Sequence, residues 1–161
     1  MIYEDGTAKC LLTGEGYVSL DDREYHYYLK DHQGNNRVLV NKNGGVEEIN
    51  HYYPFGGVFA SEENVQPYKY NGKELDTKKG LNWYDYGARE YDAALGVFTT
   101  LDPSSEKYYS TSPYAYCGGN PINRIDPTGA DWYRDEYGNY HWVKAGTNVT
   151  EGWTPLSPIH L

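Results

Sequence analysis

The sequence predicts a mostly β protein of antiparallel hairpins with little helix. Three observations carry this expectation. From residue 25 onward, Tyr-rich runs alternate with Gly-Asn and Asn-Gly pairs, the pattern of strands joined by tight turns. Gly (18) and Pro (8) are spread along the chain, and few segments space apolar residues at a helical period. Leu, Ile, Val and Phe number only 28 of 161 residues, below the roughly 20% at which a charged chain begins to resemble a disordered one. Yet the chain holds 19 Tyr and 4 Trp, the residues disordered chains lack. The apolar burden has moved to Tyr, whose ring packs while its hydroxyl needs a partner.

Taken in order, residues 1–24 read as a lead-in, a partial repeat. YHYYLKD (25–31) and RVLV (37–40) flank HQGNN and form a hairpin with Gly34-Asn35 in the turn. After Asn41-Lys42-Asn43-Gly44-Gly45, VEEINHYY (46–53) is a further strand, stopped by Pro54. In 67–91, YKYNGKE and LNWYDYGAREY are expected to pair across DTKKG, with Gly80 at positive φ. These units recur at a spacing of roughly 20–25 residues, as units that wind side by side do. Together 25–91 form the repeat hairpins. Residues 92–130 are dense in Pro, Gly and Ser with two Asp-Pro pairs, which reads as extended connections with tight turns. One short helical turn is expected near Asn120-Pro121. The tail, 131–161, carries Trp132, Trp142 and Trp153 and offers one more hairpin around Tyr137-Gly138-Asn139. A segment of that size is too short to fold alone without disulfides or metal, so it docks on the rest, is a partner's stub, or is disordered.

The composition also excludes functions. No apolar run reaches the 18 residues of a membrane span, and the N-terminal residues lack the basic and apolar regions of a signal peptide. A formal net charge of -9 without a basic patch speaks against nucleic-acid binding. Cys10 and Cys117 sit in no CxxC arrangement, and their spacing does not decide whether they pair. The five His are scattered, with no zinc spacing. No metal and no cofactor is expected.

GLNWYDYGAREYDAALGVFTTLDP followed by SPYAYCGGNPINRIDPTG resembles the Rhs/YD-repeat-associated core domain. Upstream, YHYYLKDHQGNNRVLV and YYPFGGVF resemble the Tyr-Asp repeats that precede that core. The similarity covers roughly residues 25–130, and its wording is most similar to Bacteroidetes Rhs proteins. Toxin-complex C proteins and teneurins are related. The resemblance implies β hairpins wound into a hollow shell, with the core as its C-terminal plug. It further implies an aspartyl autoprotease that cuts shortly after the final DPxG and leaves a variable C-terminal polypeptide, a toxin, inside. The family's essential Arg of RxYD, Asp of the next DP and Asp of DPxG match Arg89, Asp102 and Asp126. The cleavage region then runs over Gly129, Ala130, Asp131 and Trp132. The chain departs from the family pattern at Ala93, Val97, Gly119 and Ala130.

Those residue types suit peptide hydrolysis. One ionised carboxylate takes a proton from water while a second, protonated, gives one to the leaving amide nitrogen. A guanidinium beside one of them favours its charged form and orients it. The residues alone do not say which Asp starts protonated. Two other readings stand beside this one. The first is a structural remnant of an Rhs shell without turnover, in which the Asp-Pro pairs only shape turns. The second is a cell-surface carbohydrate-binding or adhesion module with Tyr27, Tyr28, Tyr52, Tyr53 and Trp83 as its platform, residues that read first as the repeat's cross-strand ladder partners. The expected partners are an upstream Rhs shell, a C-terminal toxin segment, or a second copy across an exposed sheet edge. The expected location is secreted or on the bacterial cell surface.

Overall fold

A computed structural model describes residues 1–4, 6–62, 65–103, 105–107, 109–129, 131–134, 140–143 and 154–155. It is mostly antiparallel β, as expected. Among the described residues there is no α-helix, only 3-10 turns at Tyr70–Gly72, Lys78–Gly80, Ser105–Lys107 and Cys117–Gly119. Two compact units divide the chain: Met1–Tyr52 with Val58–Gly72, and Tyr53–Gly57 with Lys73–Leu161.

The first unit is a seven-stranded antiparallel meander in which each strand pairs with the next. Its strands are β1 (Ile2–Glu4), β2 (Thr7–Thr13), β3 (Gly16–Ser19), β4 (Tyr25–Lys30), β5 (Asn36–Asn41), β6 (Val46–Tyr52) and β7 (Val58–Glu62). The β4–β5 hairpin falls where the sequence puts it, with Tyr28 opposite Leu39. Its turn is held by Asp31, whose carboxylate accepts hydrogen bonds from the Gln33 N–H (3.0 Å), the Asn35 N–H (3.1 Å) and the Asn35 amide (2.9 Å). Alternation along β4 buries His26 and Tyr28 and exposes Tyr27. Tyr28, Tyr17 and Leu39 form a small core, with Cys10 and Tyr68 packed against it. Most buried side chains of this unit are polar: Asn36, Glu48, Asn50, Gln66 and Lys69, among others, are each less than 10% exposed. A chain poor in aliphatics fills its interior with amides and one ion pair, each of which must find partners.

The second unit holds a four-stranded sheet of β8 (Glu74–Asp76), β9 (Trp83–Asp85), β10 (Glu90–Asp92) and β11 (Val97–Phe98), in the order β11-β10-β9-β8. A three-stranded sheet, β13-β12-β14, comes from β12 (Asp131–Arg134), β13 (Tyr140–Val143) and β14 (Thr154–Pro155). The core is aromatic: Tyr84, Tyr86, Tyr91, Phe98 and Tyr116 are at most 2% exposed. Their rings meet edge-on or tilted at 4.2–6.4 Å between centroids, the geometry the ring quadrupoles favour. Each hydroxyl is used. Tyr84 donates to the Gly56 carbonyl (2.9 Å), Tyr91 to the Phe55 carbonyl (2.8 Å), and Tyr86 and Tyr116 bond each other (3.0 Å).

Four local expectations are corrected. YKYNGKE is not one strand: Tyr70–Gly72 forms a tight turn with Asn71 in the left-handed region, and only Glu74–Asp76 pairs with β9. LNWYDYGAREY is two strands, because the stretch 86–89 folds back with the Tyr86 N–H on the Arg89 carbonyl at 3.1 Å. The strand at 46–53 ends at Tyr52, since Tyr53 opens a turn closed by the Gly56 N–H. No helix begins at Asn120-Pro121; the 3-10 turn precedes it, and Gly118 and Gly119 both take positive φ. In the tail, Asp131–Arg134 pairs with Tyr140–Val143, while Tyr137-Gly138-Asn139 lies outside the described residues.

Candidate functional site

Arg89 immediately precedes β10, Asp102 follows β11, and Asp126 opens the Asp-Pro-Thr-Gly turn. The structure brings the three together inside the second unit. Arg89 Nη2 lies 3.1 Å from Asp102 Oδ2 and 3.8 Å from Asp126 Oδ2. All three are buried, Asp126 completely. The guanidinium sits over the Phe98 ring, 3.7 Å from its centroid. Its remaining donors go to main-chain carbonyls: Nε to Gly129 at 2.8 Å and Nη1 to Pro113 at 3.2 Å. A bond from the Asp102 N–H to the Pro113 carbonyl (2.9 Å) ties the Asp102 backbone to the same carbonyl.

Local structure fixes the final turn. Asp126 Oδ1 accepts the N–H groups of Thr128 (3.1 Å) and Gly129 (2.5 Å), an Asx turn of the kind Asp favours. The Ala88 N–H donates to the Thr128 carbonyl at 3.2 Å, which places this turn beside the residue before Arg89. Gly129 has φ +73, and a Cβ there would stand 3.3 Å from the Arg89 nitrogen and 3.4 Å from Tyr86 Cβ. Only glycine both takes this backbone and lets it run so near Arg89.

Electrostatically the site is divided. Burial pushes the Asp126 carboxyl up to about 7, against the opposing effects of the two N–H groups, Arg89 and Lys73. Among the described residues Asp126 Oδ2 accepts no hydrogen bond and faces Arg89 Nη2 across the 3.8 Å ion pair. The two oxygens thus differ: Oδ1 is the fixed acceptor of two N–H groups, and Oδ2 faces the guanidinium. Burial also lowers the Arg89 guanidinium, opposed by Asp102 and then Asp126.

Sequence reasoning missed Lys73. Its ammonium donates to the Pro127 carbonyl and stands 5.1 Å from the centre of the Tyr86 ring. Burial lowers it, with Asp126 the foremost charge acting the other way. Nothing in NGKE marks that lysine off from its neighbours. Of the expected cleavage region, Gly129 is held by Arg89, Asp131 and Trp132 begin β12, and Ala130 lies outside the described residues. The suggested aromatic platform divides: Tyr28 is buried, Tyr27 is exposed beside Tyr25 at 4.4 Å, and Trp83 donates to Asp92 at 3.3 Å. Cys10 and Cys117 form no disulfide. Among the described residues no cluster of three or more His, Cys, Asp or Glu is placed to hold a metal ion. No helix among them is long and apolar enough to cross a membrane.

No family model matches the chain. It is 36% identical over 112 residues to salivary gland surface protein 1 of Aedes aegypti, which covers 67% of this chain and 3% of that protein. Among solved structures it is similar to TcdB2-TccC3-Cdc42, with a TM-score of 0.63 and 22% identity over 75% of this chain and 6% of that one. TcdB2-TccC3, and TcdB2-TccC3 without its hypervariable C-terminal region, give the same TM-score and identity over 74% of this chain. The chain thus spans only a few per cent of the proteins it matches, and its fold is related to the Rhs-type fold of these toxin-complex chains.

Proposed function

We propose that this chain is the core of an Rhs-type toxin shell and an aspartyl autoprotease that cuts its own backbone just after Asp126-Pro127-Thr128-Gly129, within 129–132. One observation carries the reading: a buried Arg89 contacts both Asp102 and Asp126 while its Nε holds the carbonyl of Gly129. The chain's own backbone is therefore tied beside the carboxylates, which removes the entropy of bringing substrate to them.

In this mechanism Asp102, paired with the guanidinium, takes a proton from water. The water oxygen bonds to the scissile carbonyl carbon. Asp126, kept protonated up to about pH 7 by burial, gives its proton to the leaving nitrogen as the C–N bond breaks. Arg89 N–H groups stabilise charge on oxygen as it develops. The products are a new carboxyl terminus and a new amine. The released piece is a C-terminal polypeptide, and the partners are the upstream shell and that segment. One similar structure lacks a "hypervariable C-terminal region", which supports a variable segment following such a core. Secretion or display on a bacterial surface belongs to the same proposal.

Intact mass after prolonged incubation tests it. Wild type is expected to yield a fragment ending near residue 130, with Asp126→Asn and Asp102→Asn slower by roughly 10²–10⁴-fold. Wild type that stays at 18.4 kDa while folded overturns the proposal, as does equal cleavage in all three.

A further inference from the structure

The first unit buries a charged cluster that the proposed cleavage does not use. Lys69 and Glu48 are 2% and 0% exposed in their side chains and form an ion pair at Glu48 Oε1. The same oxygen accepts a hydrogen bond from the side-chain amide of Asn50, two residues along β6 on the same face. The other oxygen, Oε2, is held by the N–H groups of Val65 (2.7 Å) and Gln66 (3.3 Å). A lysine amine and the Asn50 carboxamide thus meet on one buried carboxylate oxygen, which also accepts the Gln66 side-chain amide at a longer 3.4 Å.

We propose that Lys69 and Asn50 form an intramolecular isopeptide bond, with Glu48 as the proton carrier. Proximity carries the inference: Nζ and Nδ2 share one acceptor, and the backbone on both sides is fixed, so the amine and amide carbon are held as an intramolecular pair. Glu48 Oε1 takes a proton from the Lys69 ammonium. The freed Nζ lone pair forms a bond to Asn50 Cγ. Glu48 returns its proton to Nδ2 as the Cγ–Nδ2 bond breaks, and the surplus proton from Nζ leaves with it. The balance is ammonium plus asparagine amide giving a secondary amide plus ammonium ion, with no change of oxidation state. Two conditions favour it. Burial lowers the Lys69 ammonium against the pull of Glu48, which eases release of the proton. Exclusion of water protects the product from hydrolysis. The bond would link β6 to the segment after β7 and replace two desolvated charges with one neutral amide and a protonatable carboxyl.

Peptide mapping tests this directly. Cleavage after Glu residues separates 49–62 from 64–74. The expected product is these two peptides joined as one branched species, lighter than their sum by one ammonia, with fragment ions placing the link on Lys69 and Asn50. Trypsin should fail to cut after Lys69. The readout lies wholly upstream of Asp126, so it is independent of self-cleavage. Ring closure at Asn43-Gly44 or Asn71-Gly72 also loses ammonia, but leaves the two peptides separate. Asn50→Asp should lose water instead and retain the branch, and Lys69→Arg should abolish it. Recovery of the two peptides unlinked from folded wild type overturns the proposal, as does a branch that survives in Lys69→Arg.

Discussion

Asp126 is a fully buried acid at the base of its turn, and its ionisation works against the fold. Well below the ordinary carboxylate range both folded and unfolded chains are protonated, and the group contributes nothing. Between about pH 4 and pH 7 the folded chain keeps a proton that the unfolded chain has lost, so stability falls as pH rises. Above about pH 7 the full penalty is present, on the order of 4 kcal/mol. Asp126→Asn keeps an oxygen for the Thr128 and Gly129 N–H groups and cannot ionise. Denaturant titration should find the variant gaining on wild type as pH rises from about 4 to about 8, by up to that amount; a constant difference across that range argues against a buried, shifted acid. Arg89→Lys keeps a charge but loses the planar fork that reaches two carbonyls and two carboxylates. It is expected to destabilise by roughly 2–4 kcal/mol, read as a lower melting temperature at unchanged pH. The three residues of this site were legible in the sequence only through the resemblance of their short motifs to the Rhs core. Lys73 and the Pro113 carbonyl were not, because packing alone brings a single lysine and a backbone oxygen to the carboxylates.

At the scale of elements, tyrosines do the work that aliphatics do elsewhere. Tyr91 is fully buried at the centre of the aromatic cluster, and its hydroxyl caps the Phe55 carbonyl. Tyr91→Phe should cost about 1–2 kcal/mol, since it leaves that carbonyl unpaired, and Tyr91→Ala roughly 3–5 kcal/mol through the cavity. Equal losses in the two variants, measured by chemical denaturation, contradict this division of labour. Gly16 shows a different constraint. A Cβ there would stand 1.8 Å from the His26 carbonyl oxygen of the neighbouring strand. Gly16→Ala must push β3 off β4, at a cost of roughly 3 kcal/mol or more. Loss of amide-exchange protection concentrated in 16–19 and 25–28 is the expected signature. The β4–β5 hairpin was legible because tyrosine alternation and a Gly-Asn turn agree. The 67–73 stretch was not: YKYN alternates like a strand, but Asn71 goes left-handed to donate to Asn35 and to the Gln33 carbonyl, a tertiary demand no local pattern carries.

Among the described residues each sheet is open, and its end strands pair with one neighbour. In the seven-stranded sheet β1 and β7 stand at the ends of the order, and β7 displays Phe59, which is 55% exposed and stacks on His51. Outer strands offer unpaired N–H and C=O groups along their length. The division into two units could not be read from the sequence, because Tyr53–Gly57 joins the second unit while the strands on both sides belong to the first. The sheet edge leads to a prediction about assembly. The 161-residue chain is expected to self-associate with a concentration-dependent sedimentation coefficient. Phe59→Lys places a charge on the edge strand, a device by which natural edges resist pairing. It should weaken association by roughly tenfold or more, equivalent to about 1.4 kcal/mol, and leave the melting temperature within the scatter of an exposed-site change. A wild type that sediments as a monomer at every concentration would mean that the edge is already protected. Association unchanged by the lysine would move the contact to another face.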